Sequence, residues 1–298
     1  MLTTIILTKN EEKHIARAIN SVEGISERVV VVDSGSTDRT VELARELGAQ
    51  VLENPWTNYA TQFNWSLDQL PEGTEWVLRL DADEYITPKL HAQIAEALKT
   101  TGNDVGAMVV SRRMHFMGRA IRWGGVFPIR IIRVFRHGQG RCENRWMDEH
   151  IIISGEAIEL SGEIIDDNHN PITWWTEKHN SYASREVVDL LNVEMNFMDG
   201  FETVACLEGR QQVGVKRWLK EQVYAKSPGG LRAILYFLYR YIINLGFLDG
   251  KEGTAFHVLQ GFWYRYLVDI KIHEVKSFMK RNNVDVKEAI REVLRIDV

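Results

Sequence analysis

Along the first hundred residues, short apolar runs alternate with segments whose apolar positions recur at helical spacing. Residues 3–8 form an apolar run closed by a polar cluster. Val29, Val30, Val31 and Val32 form an unbroken β-branched run, the pattern of a parallel strand covered on both faces. Between these runs Ile15, Ala18, Ile19 and Val22 share one helical face, and Asn10 is placed to cap that helix. A second helix through Val41, Leu43 and Leu47 is expected to stop at Gly48, a residue suited to a left-handed C-cap. Residues 49–52 predict a third strand, 59–70 a third helix and 75–80 a fourth strand. Pro88, after Thr87, opens the next helix in its favoured first position.

Repeated strand–helix–strand order predicts an α/β fold with a mostly parallel sheet and right-handed crossovers. Ligands on such sheets bind beyond the carboxyl ends of the strands. From Asp104 to Asn168 the pattern becomes strand-rich, over 107–112, 130–135, 151–153, 157–160 and 163–165. Beyond Pro171 it is nearly all helical. The expected organisation is therefore an α/β domain over 1–170 and a helical region over 171–298. Within that region residues 229–247 are apolar and aromatic, but Arg232 and Arg240 interrupt them. A central arginine makes a bilayer span costly.

Composition narrows the picture. With 45% hydrophobic and 26% charged residues among 298, the chain has ordinary globular make-up, which excludes disordered and fibrous classes. Cys142 and Cys206 are too few for a disulfide framework and form no CxxC pair. The first apolar run is too short for a signal-peptide core, and no 18-residue uncharged stretch follows, so a cytosolic chain is expected. A net charge of −5 argues against a general nucleic-acid binder. The distribution says more: residues 1–212 hold 21 Lys and Arg against 32 Asp and Glu, whereas residues 213–281 hold 12 against 5. An acidic body with a basic, aromatic C-terminal part implies two surfaces with different partners.

Candidate chemistry gathers at strand ends. Asp81 and Asp83, spaced i and i+2 after the apolar run 76–80, can converge on one hard cation together with substrate phosphates. The plain alternative is a solvated acidic turn. Asp33 ends the valine run, and an acceptor there suits a base N–H or a ribose hydroxyl. Ser36 or Thr37 could simply cap the following helix, with Asp38 favouring its N-terminus. The first strand–helix turn, Thr8 to Glu12, has no glycine, whereas a dinucleotide fold would want GxGxxG there.

At these positions the chain resembles a family. Thr8-Lys9-Asn10-Glu11 after the first strand, VVVDSGSTDRT after the second and RLDADE after the fourth look like family-2 inverting glycosyltransferases of the GT-A fold. The later stretch, including Arg133-Val134-Phe135-Arg136 and the aromatic C-terminus, is similar to the bacterial members that build lipopolysaccharide core and surface polysaccharide. The resemblance implies a nucleotide-sugar donor, UDP first among them, and Mg²⁺ or Mn²⁺. It assigns Thr8, Glu11 and Asp33 to the nucleotide, Asp81 to ribose and metal, and Asp83 to metal and diphosphate. Phe63 stands where the family often has a basic residue, so no base contact is carried over there.

An inverting transfer also needs a base for the acceptor hydroxyl. The resemblance points to Met147-Asp148-Glu149-His150, with Glu149 as base and Asp148 in reserve; a surface acidic pair facing Arg145 is the alternative. His150, His169 and His179 match no zinc spacing. Arg130, Arg133 and Arg136 cannot all share a strand face, and Arg133 is suited either to phosphate or to balancing the acidic body. In the C-terminal region Lys216, Arg217, Lys220, Lys226, Arg232 and Arg240 interleave with aromatic residues, which suits a membrane interface; a helical core or a homo-oligomer contact would read the same. The expected protein is thus peripheral on the inner face of the cytoplasmic membrane and acts on a lipid-linked glycan or lipopolysaccharide core. A nucleotidyltransferase and a non-enzymatic membrane-associated partner protein are the competing classes.

Overall fold

A computed structural model describes residues 1–143, 149–198 and 230–298. They fall into two compact units, one of residues 1–143 with 149–169 and one of residues 170–198 with 230–298.

The first unit is built on a mixed sheet of nine strands: β1 (Leu2–Thr8), β2 (Arg28–Asp33), β3 (Gln50–Glu53), β4 (Trp76–Asp81), β5 (Glu84–Ile86), β6 (Val105–Phe116), β7 (Arg119–Ala120), β8 (Ile129–Arg136) and β11 (Glu156–Asp167). Two short strands, β9 (Gly140–Cys142) and β10 (Ile151–Ile153), form a separate antiparallel ladder. The spatial order is β3-β2-β1-β4-β8-β6-β11-β5, with β7 beside β6. The four strands from β3 to β4 are parallel, as the alternating pattern predicts, and every residue of β1 is buried. Antiparallel pairs enter with β8 and β5.

Helices α1 (Ile15–Ser21), α2 (Thr40–Glu46), α3 (Tyr59–Asp68) and α4 (Pro88–Thr100) flank this sheet. Their apolar faces produce two cores. One packs Ile15, Ile19, Leu90 and Ile94 against Leu78 and Leu80; the other packs Phe63 and Leu67 against Ile5, Val77 and Phe135. Thr87 caps α4 through Leu90, with Pro88 in the first turn, as expected.

The cap on α1 differs from expectation. Asn10 is left-handed (φ 57°) and lies a full turn before the helix. Its side-chain Oδ1 accepts from the Thr37 N–H at 2.8 Å, while its backbone N–H donates to the Ser36 hydroxyl. A long-range bond between two strand-end loops has replaced the local cap. Asp38, rather than Ser36 or Thr37, accepts the Thr40 N–H at the start of α2.

The second unit is helical: α5 (Ile172–Met195), α6 (Leu231–Leu238), α7 (Gly250–Phe256), α8 (Tyr264–Asn282) and α9 (Val286–Leu294), with π-helical turns over Tyr239–Ile243 and His257–Trp263. Val187, Leu191, Val268, Val275 and Ile290 form its core.

Gly162 lies where β11 passes closest to α4: a side-chain carbon there would sit 2.6 Å from the Leu90 nitrogen. Gly162→Ala is therefore expected to force α4 off the sheet, lowering stability by about 1–3 kcal/mol in chemical denaturation.

Candidate active site

Parallel pairing places the predicted acidic residues together. Thr8 is opposite Asp33 in the β1–β2 register, and Leu7 is opposite Asp81 in the β1–β4 register. Three neighbouring strands, about 4.8 Å apart, thus end side by side with Thr8, Asp33 and Asp81 at their carboxyl ends.

Each end is braced differently. Asp33 is buried; its Oδ2 accepts the Gly35 and Ser36 N–H groups at 2.9 and 2.8 Å and closes the turn. Gly35 takes φ 88°, a conformation that favours glycine. The Thr8 hydroxyl is buried without a hydrogen-bond partner among the described residues. Buried polar atoms are rarely left so, and an orphaned hydroxyl at a strand end is suited to bonding a ligand. Glu11 is buried against His14, its carboxylate 2.6 Å from Nδ1.

A buried cation sits behind the Asp81–Asp83 loop. Arg133 donates to Glu84 at 2.6 Å and to Asp81 at 3.1 Å. Asp81 also accepts the Tyr59 hydroxyl at 2.6 Å, and that hydroxyl accepts from Arg79 Nε at 2.8 Å. Burial alone would raise the Asp81 carboxyl, but the Arg133 and Arg79 guanidiniums hold it well below the usual carboxylate range. Glu84 goes the other way: burial, helped by the charge on Asp81, pushes it up to about 8. Arg133 thus balances two carboxylates of the acidic body.

Asp83 is less enclosed. Its Oδ2 accepts from Asn168 Nδ2 at 2.9 Å, and its carbonyl oxygen accepts from the Asp167 N–H and from Arg17. Arg17 further bonds Asp167 at 2.8 Å, and Asp167 holds His169 at 2.9 Å. The His169 N–H donates to His14 Nε2, which ties this group back to Glu11. Arg17, Asp167, Asn168 and His169 were not singled out as a site from the sequence. The antiparallel pairing of β11 with β5, Asp166 opposite Glu84, brings the last three there, and Arg17 reaches them from α1. The signal available was the polar run Asp166 to Asn170 at a strand end, the same signal that marks Asp33 and Asp81.

Glu149 stands just before β10, where its carbonyl oxygen accepts from Arg79 at 3.4 Å. Asp148 lies outside the described residues. Asn64, next to Phe63, clamps β9 by donating to the Cys142 carbonyl and accepting its N–H, both at 2.9 Å. His150 follows Glu149, its N–H donating to Glu143, whereas His179 lies in the helical unit, stacked on Trp175 and pushed down to about 4 by burial. Arg130 pairs with Glu159, and Arg136 with Glu75.

A divalent cation of the Mg²⁺ type takes one or two protein carboxylates and completes its shell with substrate phosphates and water. The residues present fit that demand. Among the described residues the Asp83 Oδ1 has no hydrogen bond, and the Asp81 oxygens retain lone pairs beyond those used by Tyr59 and Arg133. Among the described residues no three His, Cys, Asp or Glu side chains form a closed cage.

Comparison with known proteins fits this geometry. The model of the family described as glycosyl transferase family 2 matches residues 3–155. A lipopolysaccharide core biosynthesis glycosyltransferase of Rhizobium meliloti is 32% identical over 293 residues, spanning 95% of this chain and 96% of its own length. An uncharacterized glycosyltransferase of Rickettsia typhi is 46% identical over 93 residues, and the chain spans only 31% of that relative's length. Among solved structures, a glucosyl-3-phosphoglycerate synthase of Mycobacterium tuberculosis, crystallised with Mn²⁺ and UDP, is 23% identical with a TM-score of 0.32, over 39% of this chain and 44% of that one. The chain belongs to glycosyl transferase family 2. It is a family-2 glycosyltransferase, and its mixed sheet with flanking helices is the GT-A arrangement.

Removing Arg133 would leave Asp81 and Glu84 facing each other without their cation. Arg133→Met should lower stability by about 3–5 kcal/mol in chemical denaturation, and Glu84→Gln added to it should restore part of the loss.

Proposed function

We propose that this glycosyltransferase moves a hexose from a nucleotide sugar, UDP-hexose first among the candidates, onto a lipid-linked glycan or lipopolysaccharide-core acceptor with inversion. The observation that carries the reading is the convergence of Thr8, Asp33, Asp81 and Asp83 at the ends of adjacent parallel strands. The relative from Rhizobium meliloti, alike over nearly the whole chain, supports the acceptor class.

In this reading Thr8, Glu11 and Asp33 receive the nucleoside, and Asp81 the ribose. Asp83, with Asp81, would hold Mg²⁺ or Mn²⁺, which when bound neutralises diphosphate charge and makes the nucleotide a better leaving group. Glu149 takes the proton from the acceptor hydroxyl as its oxygen attacks the anomeric carbon. The bond from that carbon to the diphosphate oxygen breaks in the same displacement, so the configuration inverts. Arg79 and Tyr59 link the backbone at Glu149 to the Asp81 carboxylate, which ties the base loop to the donor side.

Asp83→Asn should abolish transfer and weaken metal-dependent UDP binding measured by calorimetry; near-normal turnover would remove Asp83 from the site. Glu149→Gln should leave donor binding intact and lower kcat by about 10²–10⁴-fold. NMR of the product linkage should show the configuration opposite to the donor's, and a retained one would sink the mechanism. If Asp148→Asn rather than Glu149→Gln gives the larger loss, the base is its neighbour.

A further inference from the structure

The helical unit carries an apolar face that nothing in its own core explains. Between Leu231 and Leu248, ten large hydrophobic side chains are 39–70% exposed, among them Leu235, Leu238, Ile242, Ile243, Phe247 and Leu248. Soluble proteins rarely leave so continuous a patch open to water without a partner for it.

The two charges in this segment point inward. Arg232 is buried against Asp269, with its Nε 2.6 Å from Oδ1. Arg240, only 1% exposed, lies over the rings of Tyr236 and Phe256 at 5.5 and 5.4 Å and donates to Gln260. Gly261 makes room for it: a side-chain carbon there would lie 3.4 Å from the guanidinium. These arginines therefore break the apolar run in the sequence without placing charge on the exposed face. From the sequence both count among the cations edging a membrane surface; in the structure they line the inside of the unit.

Length and charge indicate the occupant. The 13 residues from Leu231 to Ile243 extend about 20 Å as helix, short of the roughly 30 Å hydrocarbon core. No single helix among the described residues is long and apolar enough to cross a membrane, but this segment and Gly246–Asn282 pass that test together, bent by 71°. Leu245 at φ 59° lies at the bend. Such a bent pair suits insertion into one leaflet rather than a crossing. In sequence, the residues just before Leu231 include Lys216, Arg217, Lys220 and Lys226 against Glu221 alone, a charge complementary to anionic headgroups.

We propose that the face formed by Leu231–Leu238, the following turn and Phe247–Leu248 inserts at the headgroup–acyl boundary of an anionic lipid leaflet. It depends on neither the donor nor the base assigned above.

Flotation of the full chain with phosphatidylglycerol–phosphatidylcholine vesicles, and with phosphatidylcholine alone, tests this. Binding should favour the anionic vesicles at low salt, weaken with salt and not vanish, since apolar burial is not screened. Leu235→Glu with Ile242→Glu should weaken binding roughly tenfold or more, while UDP affinity and the circular dichroism spectrum stay at wild-type values. Leu235→Ser with Ile242→Ser gives a milder pair should the glutamates disturb folding, and should weaken binding in the same direction. Wild-type protein that never floats, or folded variants that float as well as wild type, would overturn the proposal. So would a wild-type dimer, by light scattering, that these substitutions split without any vesicle binding; the face would then belong to a second copy.

Discussion

The site depends on one buried cation. Arg133 stands between Asp81 and Glu84, with its guanidinium almost wholly out of water. An unpaired charge in such a place is costly, and so is a pair of carboxylates without it. With one guanidinium divided between them, the two acids separate: Asp81 is held ionised, and Glu84 is pushed up toward neutrality. The Asp81–Asp83 loop is therefore anchored from below by an ion-pair cluster, and its outward side is left to Asp83.

Around that anchor the strand-end turns brace one another. Asn10 reaches the turn after β2, Asp33 folds that turn on itself, and the Glu11–His14 pair joins the first turn to His169. Arg17 ties the Asp83 backbone to Asp167. Such cross-bracing holds carboxylates in place without a bound ligand, which is what electrostatic preorganisation requires. On the other side Arg79 runs from Tyr59 to the Glu149 backbone, so the loop expected to carry the base is linked to the same acidic cluster.

The helical unit handles its charges in the opposite sense. The α/β unit concentrates acids at strand ends, whereas the helical unit turns Arg232 and Arg240 into its own interior and leaves hydrophobic residues outside. Aromatic rings, Asp269 and Gln260 take up the cations, and small residues such as Gly261 leave space for them. The two units thus reach two different physical solutions for their charges.

Local patterning determined a good deal. The valine run, the helical spacing of Ile15, Ile19 and Val22, and Pro88 after Thr87 each state their element, because burial on both faces, a 3.6-residue period and a fixed φ are local properties. The acidic residues at strand ends were legible for the same reason: in a parallel sheet the carboxyl ends must lie together, whatever the details of packing. The sequence also carried the family resemblance that the comparisons establish. Tertiary structure decided the rest. Asn10 follows a distant loop rather than its own helix, since the chain brings Thr37 within 2.8 Å. Asp167 and His169 join the site only through the pairing of β5 with β11, strands separated by some seventy residues of chain. The inward turn of Arg232 and Arg240 likewise rests on Asp269, Phe256 and Gln260, which no period in the 231–248 segment announces. A charge's direction is set by the partner that relieves its desolvation, and such partners are chosen by packing between distant segments, not by neighbours in sequence.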